Sequence, residues 1–281
     1  MSLVKSPLNY VGGKYKLLNQ ILPLFPSKIN KFLDVFGGGF NVGANVNANE
    51  IIYNDTETHV CKLLEYLYQT ETEISIKQIH ELINNYNLSK ENTEGFLKLR
   101  EDYNNDITKN KHIAFYTMIC YAFNYQIRFN QQGKYNMPFG KNRSSFNPTL
   151  EKKFIAFVNQ IKSKKCLFFN FDYNVLLHQK WFNPTENDLV YLDPPYFNSV
   201  ASYNENGGWT EEKERELLHS IDSLDKKGIR FALSNNLKYE NKLLNEWINK
   251  YNVHYLSHDY NNCNYQKKDK TKDIEILVTN Y

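Results

Sequence analysis

The sequence is poor in paired cysteines, in net charge and in long apolar runs, and each absence excludes something. The four cysteines, Cys61, Cys120, Cys166 and Cys263, stand far apart with no CxxC pair. That argues against a disulfide framework and against a zinc ribbon. His254 and His258 are close in sequence, but "NVHYLSHDY" reads as a strand, where that spacing is a weak metal signal, and no metal site is expected. No apolar run approaches the roughly 20 residues that cross a membrane. The opening "MSLVKSPLNYVGGK" lacks the pattern of a secretory leader, so a cytoplasmic location without a membrane is expected. Internal repeats and low-complexity tails are missing too. What remains is 281 residues, 41% of them hydrophobic, enough for one large or two modest domains with a real core.

A net charge of only +3 says little, but its distribution says more. Between Arg128 and Lys153 lie six basic residues (Arg128, Lys134, Lys141, Arg143, Lys152 and Lys153) against one acid, Glu151. Such a patch is an electrostatic footprint for a polyanion, or else a solvated lysine-rich loop. The first half opens with a helical pattern, "KYKLLNQILPLF". A short strand "KFLDVF", a glycine turn "GGGFNVGANV" opening a helix, and a second strand "EIIYND" follow. Strand, turn, helix, strand is the first unit of a doubly wound sheet. The chain then reads as helical to about Tyr125 and becomes turn-rich and basic up to Leu150. From "KCLFFNFDY" the α/β rhythm returns, with strands "DLVYLD", "IRFALS" and "DIEILVTN". The helix "WTEEKERELLHSIDSLDKKG" between them has Thr210 as its N-cap.

In open α/β sheets ligands bind beyond the carboxyl ends of the strands. Three acids are expected at that edge: Asp34, Asp55 and Asp193. The run Gly37-Gly38-Gly39 lets backbone pass close to a ligand. A phosphate loop is disfavoured because "GANV", not Lys and Ser or Thr, follows Gly43, and the dinucleotide fingerprint fits poorly. Asp55 suits the hydroxyls of a ribose, which leaves a nucleoside cofactor or a purely structural turn.

Asp193-Pro194-Pro195-Tyr196, in "DLVYLDPPYF", is the more specific signal. An exocyclic amine on a base is conjugated with its ring and is a poor nucleophile. A carboxylate accepting one N–H and a fixed backbone carbonyl accepting the other would draw it toward tetrahedral geometry. Proline fixes φ and so fixes the carbonyl of Pro194. Tyr196 offers a face on which an extruded base can stack. The alternative is a tight turn ending a strand.

"DPPY", with "FGGGF" and "YVGGK", resembles the amino-methyltransferases that use S-adenosylmethionine. More narrowly, the chain resembles the Dam-type DNA adenine-N6 methyltransferases, phage members included. The likeness covers nearly the whole chain: "YVGGKYKLL", "FLDVFGGGFNVGANV", "YNDTE", "FLKLREDYN", "IRFNQQGKYNMPFGK", "VYLDPPYF", "ALSN" and a last strand in "VTN". It implies an α/β fold, a doubly wound Rossmann-like methyltransferase sheet with an inserted, mainly helical target-recognition domain carrying a β-hairpin. Residues 1–55 and 151–281 would form the catalytic S-adenosylmethionine-binding domain and residues 56–150 the DNA-binding insert.

By position, the resemblance gives Tyr10 and Lys14 to the cofactor, Lys14 meeting its methionine carboxylate. It gives Asp34, Phe36, Gly37 and Gly39 to the amino-acid end, Asp55 to the ribose, and Asp172 and Tyr173 to the cofactor's adenine. Asp193, Pro194, Pro195 and Tyr196 would be catalytic, in a reaction that needs no metal because the sulfonium is already a good leaving group. In the insert, Arg128 would contact a guanine, with Asn130 and Pro138 in the same hairpin pattern, while Gln126, which departs from it, could hydrogen-bond a base edge. Lys134, Lys141 and Arg143 would meet phosphates. Tyr203, in "FNSVASYNENGGW", would close over the flipped base. The partner implied is double-stranded DNA, with a cognate restriction endonuclease as an option and no obligate protein partner. GATC is the site the family suggests, but Tyr125-Gln126 departs from the Dam pattern. A cytosine-N4 methyltransferase and a non-catalytic DNA-binding protein on the same scaffold are the rival readings. The intact Asp193 and Tyr196 argue against the second.

Overall fold

Short apolar runs become strands and longer amphipathic ones helices in the computed structural model, which describes residues 3–179, 183–197, 208–239, 241–257 and 274–281. In chain order they are α1 (Leu18–Ile21), β1 (Lys31–Asp34), β2 (Glu50–Asn54), α2 (Thr58–Gln69), α3 (Thr72–Asn85), α4 (Thr93–Asn104) and α5 (Lys111–Tyr121). There follow α6 (Pro148–Lys162), β3 (Cys166–Phe169), α7 (Tyr173–Leu177), β4 (Leu189–Leu192), α8 (Glu211–Lys226), β5 (Arg230–Asn236), α9 (Lys242–Trp247), β6 (Asn252–Leu256) and β7 (Glu275–Thr279). The chain divides into two compact units. One holds Met1–Gly13, Gly38–Asn45 and Asp55–Asn170; the other holds Lys14–Gly37, Val46–Asn54 and Phe171–Tyr281.

The second unit carries six strands in the order β2-β1-β4-β5-β7-β6. β1 pairs in parallel with β2 and β4, and β4 with β5, while β7 runs antiparallel between β5 and β6. β4 is apolar and buried along its length, and β1 and β5 are buried from their second residue on, as strands covered on both faces must be. Asp188, just before β4, sets the register. Its buried carboxylate accepts from the Lys31 amide at 2.8 Å, Asn30 Nδ2 at 3.1 Å, and the Thr185 amide and hydroxyl at 2.7 and 3.0 Å. Those bonds tie the starts of β1 and β4 together, so that Asp34 pairs with Tyr191 and Asp193 emerges at the same carboxyl edge. α8 begins as its sequence predicts: Thr210 accepts from the Lys213 amide, and Glu211, Glu212 and Glu214 occupy the first turn. It stops at Gly228, whose φ of +71° glycine adopts without strain.

The first unit is mainly helical. Every residue of α5 from Ile113 to Tyr121 is buried, which fits a helix apolar all round. α2, α3 and α4 pack around it. β3 also belongs to this unit.

Three local expectations differ from what forms. "KYKLLNQILPLF" is not one helix: a 3-10 turn, α1 and a second 3-10 turn succeed one another. Pro23 lacks the N–H that a continuing helix requires. No helix follows the glycine turn either, only turns over 41–45. Asn45 Nδ2 bonds the Asn41 carbonyl and Asn45 Oδ1 the Val4 amide, so the side chains take up groups that a helix would use. The β-hairpin of the insert is reduced to two isolated bridges, Ala122 with Phe139 and Phe129 with Tyr135. Among the described residues no helix is long and apolar enough to cross a membrane.

Candidate active site and nucleic-acid interface

β4 delivers Asp193 to the carboxyl edge of the second unit, and the chain turns there because Pro194 and Pro195 follow. The Asp193 carboxylate receives Lys14 Nζ at 2.7 Å on one oxygen and 2.8 Å on the other. Lys14 is almost fully buried and the Asp193 side chain is 17% exposed. The Tyr196 hydroxyl lies 3.5 Å from Asp193 Oδ1 and donates to Glu275 Oε2 at 3.0 Å. Glu275 Oε1 accepts from Asn236 Nδ2 at 3.1 Å, and Lys14 Nζ stands 5.1 Å from the Tyr196 ring centroid. Burial pushes the Asp193 carboxyl up to about 6; Lys14 opposes that rise and Glu275 adds to it. Burial likewise raises the Tyr196 hydroxyl, with Asp193 and Glu275 contributing. The outcome is a carboxylate still mostly ionised at neutral pH, partly open, and held by one ammonium.

Asp34 ends β1 and is buried. Two residues on, Phe36 packs against Tyr173 at 5.3 Å and Trp209 at 5.8 Å between ring centroids, and those two rings are 5.4 Å apart. Gly37 is required by close approach: a Cβ there would lie 2.3 Å from the Tyr53 ring. Asp172 caps α7, accepting from the Asn174 amide at 2.9 Å, and the Tyr173 hydroxyl donates to the Lys213 carbonyl at 3.1 Å. Trp209 Nε1 donates to Glu214, which also accepts from Asn241.

In the first unit Asp55 accepts from the Gly38 amide on Oδ2 and the Glu57 amide on Oδ1, both at 2.8 Å. Burial pushes its carboxyl up, and these amides pull it back down. Gly38 has a φ of +47°, and a Cβ there would lie 3.0 Å from the Tyr10 ring; at Gly39 one would lie 3.1 Å from Tyr10 Cβ. Tyr10, Gly38, Gly39 and Asp55 are thus brought together.

The same unit carries the basic loop. Arg128 donates from Nε to Asn136 Oδ1 at 2.8 Å and from a terminal nitrogen to the Asn136 carbonyl at 3.2 Å, with its side chain exposed. Asn130 Oδ1 accepts from the Gln132 and Lys134 amides, shaping the tip around Gly133. The Gln126 carbonyl accepts from the Tyr135 hydroxyl, and the Pro138 carbonyl from the Phe123 amide. Lys134, Lys141 and Arg143 are exposed on this loop. Asn124 and Tyr125 both have positive φ, at 54° and 56°, and Tyr125 reaches the Arg143 carbonyl at 3.4 Å. Two adjacent non-glycine residues in the left-handed region are strained, a frequent mark of a functional turn. Tyr203 lies outside the described residues, as does His258; His254 contacts the Thr279 hydroxyl at 3.2 Å.

The profile of the D12 class N6 adenine-specific DNA methyltransferases matches residues 10–262. The chain belongs to this family. It is 48% identical, over its whole length, to Type II methyltransferase M.FokI of Planomicrobium okeanokoites, covering 43% of that protein. It is 42% identical over 99% of its length to Modification methylase StsI of Streptococcus sanguinis, again covering 43%. With the DNA adenine methylase of Escherichia coli K12 the identity is 24%, over 88% of this chain and 85% of that one. The chain therefore spans less than half the length of M.FokI and StsI. Its α/β fold and its largely parallel sheet are those of the Rossmann-like methyltransferases.

Two residues of these clusters escaped the sequence reading. Glu275 carries a faint signal, an acid opening an otherwise apolar strand. Trp209 stands beside the recognised N-cap.

Proposed function

We propose that this chain transfers a methyl group from S-adenosylmethionine to N6 of an adenine flipped out of duplex DNA. The observation that carries the reading is Asp193, an ionised and partly open carboxylate between Lys14 and Tyr196 just after two strands' shared carboxyl edge. The groups present suit the cofactor. The glycine turn passes the Tyr10 ring so closely that a side chain would fill the gap, beside a buried acid already held by backbone amides. Asp55 is assigned to its ribose, and Tyr10 and Lys14 to the N-terminal cofactor segment, with Lys14 meeting the methionine carboxylate. Asp34, Phe36, Gly37 and Gly39 are assigned to the amino-acid end, and Asp172 and Tyr173 to the adenine. S-Adenosylmethionine, when bound, supplies an electrophilic methyl on a sulfonium whose leaving group is a neutral thioether.

The protein's own part is positioning and electrostatics. Asp193 accepts one N–H of the adenine amine and the Pro194 carbonyl the other, so the lone pair turns toward the methyl. Tyr196 presents its ring to the extruded base, whose flipping costs a few kcal/mol. Lys14 keeps Asp193 ionised. Arg128 reads a guanine, with Gln126, Asn130 and Pro138 shaping the hairpin, while Lys134, Lys141 and Arg143 meet phosphates. The name of StsI, a modification methylase, supports assigning this chain the same task, protecting sites from a cognate endonuclease. The test is incubation with labelled S-adenosylmethionine and duplex DNA, followed by digestion to nucleosides. Label in N6-methyladenosine is expected. Label in methylcytosine, or cofactor binding without transfer, overturns the reading.

A further inference from the structure

Two carboxylates, not one, meet at the end of β4. Glu275 opens β7, where it pairs with Asn236 of β5, and its two oxygens are both engaged: one by Asn236 Nδ2 at 3.1 Å, the other by the Tyr196 hydroxyl at 3.0 Å. The same hydroxyl lies 3.5 Å from Asp193 Oδ1, so Tyr196 bridges the two acids. The titratable and charged groups around Asp193 are Lys14, Tyr191 on β4, Tyr196 and Glu275, with Asp34 of β1 near Tyr191. Lys14 and Asp193 alone would make a neutral pair.

We propose that Glu275 is a positioning residue of the methyl-transfer site, anchoring the Tyr196 ring through its hydroxyl and setting a second carboxylate beside the Lys14–Asp193 pair. The inference rests on the function proposed above. In that reaction the adenine lone pair forms the new N–C bond, the S–C bond breaks with its electrons returning to sulfur, and N6 carries positive charge until a proton leaves to solvent. An Asp193 already neutralised by Lys14 meets that charge poorly. A second carboxylate, held away from the substrate by Asn236 and Tyr196, restores the imbalance without competing for the amine. The placement also explains why Glu275 interrupts the apolar pattern at the first residue of a strand whose other residues are buried.

Glu275→Gln keeps the shape and removes the charge. Two measurements are made: single-turnover methyl transfer with saturating DNA, and the 13C titration of the Asp193 carboxyl in cofactor-free protein, assigned by its loss in Asp193→Asn. The expected result is transfer slowed on the order of tenfold, an Asp193 titration and an acid limb of the rate both moved to lower pH, and cofactor affinity within a few-fold. Wild-type rate overturns the proposal, and so does a slowed rate with an unmoved titration, which would mark Glu275 as structural. Glu275→Asp is the second variant: it keeps the charge and loses reach, so it should slow transfer while leaving the titration in place. A titration displaced as far in Glu275→Asp as in Glu275→Gln overturns the proposal as well. Failure of the underlying function is distinguishable, because it appears as no label on adenine in the unsubstituted protein.

Discussion

Lys14 and Asp193, 179 residues apart in sequence, share a bidentate contact of 2.7 and 2.8 Å. The lysine is thus a partner of the proposed catalytic acid first. Its proposed role toward the cofactor carboxylate requires that it serve both.

That contact fixes a pH dependence. Asp193 must be ionised to accept the amine N–H, and burial holds its carboxyl at about 6 even with Lys14 beside it. A raised carboxyl is protonated as pH falls through its own value, so transfer should decline below about pH 6 and not near the usual carboxylate range. Lys14→Met removes the group that lowers it, so the acid limb should move to higher pH. Single-turnover rates between pH 5 and pH 8 (roughly the range in which the shift is readable) check both. A limb that stays in place in Lys14→Met rejects the assignment.

Asp193→Ala and Asp193→Asn should abolish detectable transfer while duplex binding stays within a few-fold, since in the proposed function Asp193 acts on the amine and the basic loop holds the backbone. Filter binding beside a transfer assay separates the two. Parallel loss of binding and transfer in both variants would mean that Asp193 supports the fold and not the chemistry. The Asn variant matters because Ala leaves buried Lys14 without its partner.

Gly37→Ala should destabilise the protein by about 1–3 kcal/mol, because the added methyl would sit 2.3 Å from the Tyr53 ring. Chemical denaturation at constant m-value reads this directly. An unchanged midpoint would show that the Tyr53 ring moves aside freely. Gly133→Ala isolates backbone strain instead: nothing lies within 4 Å of a Cβ there, but its φ of +72° disfavours any side chain.

Much of this was legible because the signals were local. β4 ends at Asp193 because its apolar residues do, and α8 starts at Thr210 because hydroxyl capping and three early glutamates both favour that point. What was not legible depended on distant partners or on competing side chains. The helix expected after the glycine turn gives way to bonds made by Asn41 and Asn45, and nothing in "GGGFNVGANV" announces that Val4 and Ser6 will pair with them. Glu275 is 79 residues from Tyr196 in sequence, and only strand pairing brings it near. The hairpin was legible as a basic, turn-rich segment, but the interruption of its ladder was not: Ala122 with Phe139 and Phe129 with Tyr135 form isolated bridges, and the Asn130 side chain takes the Gln132 and Lys134 amides at the tip.

Asn136 gives the recognition loop its sharpest test. It holds Arg128 by side chain and carbonyl, at 2.8 and 3.2 Å, so the guanidinium is oriented before DNA arrives. An arginine fixed in this way suits the bidentate guanine contact proposed for it. Arg128→Ala should relax discrimination at one guanine by about 1–3 kcal/mol. Asn136→Ala should relax the same position by less, since the arginine remains and only its orientation is lost. Affinity for unrelated duplexes should change little in either, and the salt dependence of binding should stay put. Lys134→Ala and Arg143→Ala should do the opposite, weakening all sequences alike and lowering the salt slope by about one each. Competition binding with single-base variants of the methylated site, once sequencing has located it, distinguishes these patterns. Uniform loss in Arg128→Ala would reassign it to a phosphate and move base reading elsewhere on the loop.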